Sequence, residues 1–258
     1  AWILQPARFG FADNVSAIRA SFVAVAVWWA VFSIPLFRKV PQPAPAGGGR
    51  KIEIGAAFRR LGRTFSEIRK YRNAFLMFIA MLLYQDGIQT VIRMSSVYGA
   101  EVGIDTNLQI AAFVMVQFVG IPFAFLFGQL GARIGTKKCI FIAIAVYIVA
   151  AGLAYFMTTV VHFFVLAFLV ATVLGGSQAL SRALFARLIP QDRTSEFFGF
   201  FAVSERFATI MGPVLFFISA TITGSSRAAI LGILGLFVAG GFVLSLVDEE
   251  EGTRAALQ

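Results

Sequence analysis

The chain has 258 residues, 59% hydrophobic and 14% charged, with a mean hydropathy of +0.82. Soluble domains carry about 45–50% apolar and about 25% charged residues, so a soluble globular enzyme, a disordered chain and a disulfide-framed secreted module are excluded. The net charge of +9 sits in short stretches between apolar runs, the way a membrane protein records its orientation. No nucleic-acid partner is expected, because the cations do not collect on a soluble face.

A helix needs roughly 20 mostly apolar residues to cross a bilayer. Seven such runs follow one another: 17–37, 73–97, 107–130, 138–157, 161–187, 197–222 and 227–247. Helices are the expected element, since lipid offers no partner to an unpaired backbone group. Turn residues fall between the runs, at Gly103–Asn107, Gly135-Thr136, Pro190–Asp192 and Gly224–Ser226. The resulting divisions are an external loop with one span (1–37), a cytoplasmic linker with an amphipathic helix (38–72), a six-helix bundle (73–247) and a cytoplasmic tail (248–258).

Charge fixes the orientation. Arg38, Lys39, Arg50, Lys51, Arg59, Arg60, Arg63, Arg69, Lys70 and Arg72 precede the second span, and Arg133, Lys137, Lys138, Arg187 and Arg193 occupy two later loops. Alternating spans place all of them on one face, expected to be cytoplasmic, against Arg8 and Arg227 on the other. Within the linker, residues 40–49 are a proline- and glycine-rich tether. Phe58, Leu61, Phe65 and Ile68 then recur at helical spacing among arginines, which predicts a basic amphipathic helix lying on anionic lipid. Docking of that helix on a protein partner is the weaker alternative.

The run Gly128–Lys138 (GQLGARIGTKK) resembles the cytoplasmic loop signature of the major facilitator superfamily, with Ala132 where the fuller pattern carries aspartate. Gly175–Arg182 (GGSQALSR), Phe185–Pro190 (FARLIP), Glu196–Phe200 (EFFGF) and Tyr84–Ile92 (YQDGIQTVI) are similar to the vacuole-effluxer-like family within that superfamily. The resemblance implies a transporter of twelve spans in two halves. These spans would then be six to twelve, a major facilitator-type bundle lacking its N-terminal half. It also links fungal members to amino-acid efflux.

Ionisable groups within the hydrocarbon are expected to face the bundle interior. Asp86, Gln89, Thr90 and Arg93 share one face of the second span, with Asp86 and Arg93 roughly 10.5 Å apart along its axis. Asp86 is read as a binder of a substrate amine or carrier of a coupling proton, against a structural carboxylate paired with another helix. Gln117, Gln178 and Glu205 complete the candidate substrate or coupling set. Gln178, Ser181 and Arg182 are expected on one polar face, with Arg182 pairing Glu205 or holding a carboxylate. Gly128, Arg133, Gly135, Lys137, Lys138, Arg182, Arg187 and Arg193 form the candidate cytoplasmic gate, and Gly212-Pro213 predicts a kink.

The single histidine, His162, and single cysteine, Cys139, fall short of a zinc constellation, and no P-loop pattern occurs. No cofactor is expected. The expected activity is movement of a small solute by alternating access in a bacterial inner membrane, with that solute, membrane lipids and the missing half as partners. A scaffold or sensor on the same fold is the alternative. An intramembrane enzyme is further off, since Glu205 is the only other deep acid.

Overall fold

A computed structural model describes residues 6–39, 54–224 and 226–257. The tether 40–49, Arg50, Lys51, and the side chains of Phe58, Arg60 and Arg227 lie outside the described residues. The chain divides into two units, 1–53 and 54–258. In the first, α1 (Asn14–Lys39) opens with the Asp13 carboxylate accepting the Ser16 amide at 2.7 Å. Its mid-helix Trp28 and Trp29 are exposed, as befits a helix whose solvent is lipid.

The second unit comprises α2 (Ile54–Ile68), α3 (Arg72–Glu101), α4 (Thr106–Ile134), α5 (Thr136–Tyr155), α6 (Val160–Leu188), α7 (Thr194–Ala208), α8 (Met211–Thr223), α9 (Ser226–Ser245) and α10 (Glu249–Ala256). The described residues hold six helical segments long and apolar enough to cross a bilayer, α7 and α8 counting together. A seventh is added by the bent pair 232–245 and 249–256. The expected spans all fall on these helices, although α5 stops at Tyr155 and α9 at Ser245, each two residues short of the reading. The expected tail is itself helical as α10.

The turns form where sequence chemistry placed them. Gly103 takes φ +85° and Gly135 φ +98°, backbone states that a β-carbon disfavours. Asp105 caps α4 by accepting the Asn107 amide at 2.8 Å. Thr159 caps α6 through the His162 amide at 3.3 Å, which gives the lone histidine a structural position.

α5 lies between α6 and α9, α4 packs along α6, and α3 packs along α9 and meets α6, α7 and α8. The contacts are close because small residues face large rings. Tyr147 on α5 stacks on Phe237 of α9 with centroids 5.2 Å apart, and the same Phe237 ring fits against Gly87 on α3. Tyr84 on α3 donates its hydroxyl to Ser181 on α6 at 2.6 Å. Outward faces carry exposed Phe118, Phe125, Phe217 and Phe242, an apolar surface suited to acyl chains.

Where α6 meets α4, a β-carbon at Gly176 would overlap Phe127, whereas one at Gly152 on α5 would meet nothing within 4 Å. Gly176→Ala should therefore lower stability by about 1–3 kcal/mol through overpacking, while Gly152→Ala should not destabilise. Thermal unfolding in detergent distinguishes them: the first variant melts lower than the parent and the second does not.

Candidate functional site: a buried carboxylate at a broken span

The sixth bilayer segment of the described chain, Gln191–Thr223, is two helices, α7 and α8, interrupted at Thr209-Ile210. The expected kink is thus a break. Pro213 has no N–H to return to the Thr209 carbonyl, and Gly212 lets the first turn of α8 lie directly on α3. A β-carbon at Gly212 would collide with the Thr90 hydroxyl and fall 2.9 Å from Asp86 Oδ1.

Asp86 is 1% exposed, and neither of its carboxylate oxygens has a hydrogen-bond partner among the described residues. Thr90, fully buried, donates its hydroxyl to the Asp86 main-chain oxygen at 2.7 Å, so it turns away from the carboxylate. Gln85, 2% exposed, also leaves its Oε1 unpaired. One turn further along α3 Gln89 is half-buried, and two turns along Arg93 is exposed. The expected stripe therefore runs from a sealed acid to an open cation. The alternative in which Asp86 forms an interhelical ion pair is not realised among the described residues.

Beyond this crossing the spans line a half-open cavity of about 550 Å³, with Val91, Met94, Tyr98, Gln117, Tyr147 and Phe216 among its walls. Gln117 is among the lining residues and Asp86 is not. Its lining carries no charged side chain.

The expected polar face of α6 follows from spacing, since residues three and four apart lie on one side of a helix, but it is unevenly buried: Ser181 is buried on Tyr84, Gln178 is half-buried, and Arg182 is exposed. The expected pair needs correction. Arg182 and Glu205 form no ion pair. Phe185 fills the seam between their helices instead, packing on Phe198 and Phe201 with centroids 5.5 and 5.7 Å apart.

The candidate gate residues fall into two groups. Lys137 donates to the Ser245 and Val247 carbonyls at 3.2 and 2.5 Å, tying α5 to the end of α9. Arg187 donates to Thr136 at 2.7 Å and pairs with Glu249 at 2.7 Å, tying α6 to α5 and α10. Arg193 pairs with Glu196 at 2.7 Å and with Glu67. Gly128, Arg133, Gly135, Lys138 and Arg182 are exposed at this basic end, and the four of these other than Gly135 make no such tie among the described residues.

The partners themselves were not singled out by the sequence. Thr64 on α2 donates to Glu196 at 2.6 Å, and Glu67 accepts from Arg63 at 3.1 Å as well as pairing with Arg193. Leu61, Thr64 and Ile68 turn inward, so α2 is docked on α3 and α7 along one face, which corrects the reading of a helix resting on lipid alone. Asn73 likewise bridges α3 to α10, donating to Glu251 at 3.1 Å and accepting the Asp248 amide at 2.9 Å. The i, i+3 spacing of Arg193 and Glu196 and the i, i+4 spacing of Arg63 and Glu67 are local signals; the other pairs are remote in sequence.

The Arg193 guanidinium, then Arg63, holds the Glu67 carboxyl below the usual carboxylate range. A value depressed on folding contributes stability above the ordinary pKa, and that contribution is lost as pH falls through the depressed value. A nitroxide at exposed Ser66, introduced by Ser66→Cys with Cys139 buried, reads this. It should be least mobile at neutral pH and gain mobility only on acidification below the ordinary carboxylate range, and Glu67→Gln should already be more mobile than the parent at neutral pH. Identical spectra for parent and variant would contradict the tie.

The family model described as "Vacuole effluxer Atg22 like" matches residues 5–257. The chain is 40% identical over 243 residues to the uncharacterized MFS-type transporter YxiO of Bacillus subtilis, covering 94% of this chain and 56% of that one. It is 26% identical over 253 residues to autophagy-related protein 22 of Cryptococcus neoformans, covering 90% and 44%. With the Yarrowia lipolytica protein of the same name it shares 26% over 272 residues, covering 93% and 46%. The chain spans about half the length of the curated relatives it matches. A matched model over nearly every residue and an all-helical bundle of membrane-spanning length agree, and the chain belongs to the Atg22-like vacuole effluxer family.

Proposed function

We propose that this chain forms part of a secondary transporter that moves a small solute across a membrane by alternating access, with Asp86 as the group that couples movement to a proton or a solute cation. The observation that carries the reading is the sealed, unpartnered Asp86 carboxylate lying on the first turn of a broken span. An ionisable group kept in hydrocarbon without a partner is costly, and a helix N-terminus is where a negative charge is best tolerated. Half-helices meeting near the middle of the membrane are how many carriers build their sites.

Gln89, Arg93, Gln117, Gln178 and Glu205 are the further polar groups proposed to meet the solute as the passage opens. The exposed Gly128, Arg133, Gly135, Lys138 and Arg182, with the tied Lys137, Arg187 and Arg193, are proposed as the cytoplasmic gate. Spans preceding residue 1 would form the opposite wall. The family description and the printed name of the Bacillus relative support transport. Amino acids are the first solutes to test and export the first direction, in a bacterial inner membrane.

The test is flux of labelled amino acids into vesicles containing the full-length protein, driven by an imposed pH gradient. Asp86→Asn should slow flux about fivefold to a hundredfold, the range of an ordinary coupling energy, and flatten its pH dependence while the thermal midpoint holds. A variant that keeps both rate and pH profile would remove Asp86 from the mechanism.

Gly212→Ala probes the same crossing sterically. Its β-carbon would collide with Thr90, so this variant alone should lose flux, and Gly212→Ala with Thr90→Ala should recover part of it. Equal flux in parent and single variant would mean the α3–α8 contact is not part of the cycle.

A further inference from the structure

We propose that the corner between α2 and α3 binds the phosphate-bearing headgroup of an anionic phospholipid. Arg69, Lys70 and Arg72 lie together there, all exposed and none paired with an acid among the described residues. Nearby acid is already committed: Glu67 is held by Arg63 and Arg193 on the flank that faces α7. The corner therefore presents uncompensated positive charge.

Arg69 is also positioned. Its guanidinium carbon sits 5.8 Å from the Phe65 ring centroid and 6.0 Å from that of Phe75, and the two rings meet edge to face at 5.9 Å. Attraction to a ring face does not consume hydrogen-bonding capacity as a carboxylate would. The N–H donors remain free to take a phosphate in a two-pronged grip. Phe65 is 40% exposed, giving an apolar group beside the charges.

Depth selects the source of the phosphate. α3 begins its crossing at Arg72, so the three cations stand at the level where headgroups lie and Phe65 at the edge of the acyl region. Charge complementarity and depth together fit a lipid such as phosphatidylglycerol in the leaflet at the basic end. The opposite face of α2 is bonded to α7 through Thr64 and Glu67. A lipid seated here thus grips the helix that holds the end of the broken span. The inference stands on this surface alone and does not depend on the transport reading.

Native mass spectrometry of the purified full-length protein with added phosphatidylglycerol or phosphatidylcholine tests it. The glycerol lipid should bind more tightly and lose affinity with salt. Each cation near a surface is worth about fivefold, so Arg69→Gln with Lys70→Gln and Arg72→Gln should weaken binding on the order of a hundredfold. The matched control, Arg133→Gln with Lys138→Gln and Arg254→Gln, should not. Should the triple variant misfold, Lys70→Gln alone, exposed and unpaired, is expected to lose about fivefold. Equal loss in both triple variants, no loss in the first, or complete displacement of lipid by millimolar inorganic phosphate would overturn the assignment.

Discussion

An ionisable side chain taken out of water must find a partner, change its charge or stay a source of strain, and Asp86 sits at that constraint. It is sealed on α3 with no hydrogen-bond partner for its oxygens among the described residues, and what approaches it is a glycine, not a cation. The packing of α3 is organised around such close approaches. Gly212 of α8 lies on Thr90, Gly240 of α9 on Tyr84, and the ring of Phe237 on Gly87. Two helices, α8 and α9, thereby come close to one stretch of α3, which excludes both water and lipid from the acid. A larger residue at any of these crossings would open a path or displace the carboxylate.

The basic end is built on the opposite principle. Its charges reach water to different degrees, Arg187 being exposed and Glu67 only 13% so, and are paired across elements: Arg193 with Glu67 and Glu196, Arg187 with Glu249, Lys137 with carbonyls at the end of α9. The exposed pairs among them contribute little stability each, so they suit contacts that must form and release. α7 joins the two regions. One of its ends belongs to the Arg193 network and the other stops at the break beside Asp86. A tilt of α7 about Thr209-Ile210 would disturb the surface ties and the buried acid together, a physical route between the site and the helix α2.

Much of this was legible in the sequence because the bilayer imposes simple rules. Span positions follow from runs of apolar residues, the turns at Gly103, Gly135 and Gly224 from glycine chemistry, and the break from Gly212-Pro213. The burial of Asp86 follows from its depth in an apolar run. What sequence could not supply was azimuth and distant pairing. Ser181 and Arg182 are adjacent, and only the packed Tyr84 shows which of them is buried. Glu67 and Arg193 lie on different elements, and nothing local to either announces the other. Helix α2 shows the same limit: its apolar stripe was visible, but lipid and protein both satisfy such a stripe, and the side chains of α3 and α7 decided between them.

The central claim is that the Asp86 carboxyl takes part in the working cycle and is not a fixed structural acid. Infrared difference spectroscopy of the full-length protein, with and without bound solute, reads this directly from the carboxyl stretch. The account predicts a band that changes when solute binds and is missing from the Asp86→Asn protein. A carboxyl spectrum that is indifferent to solute, in a sample shown to bind it, would contradict the account.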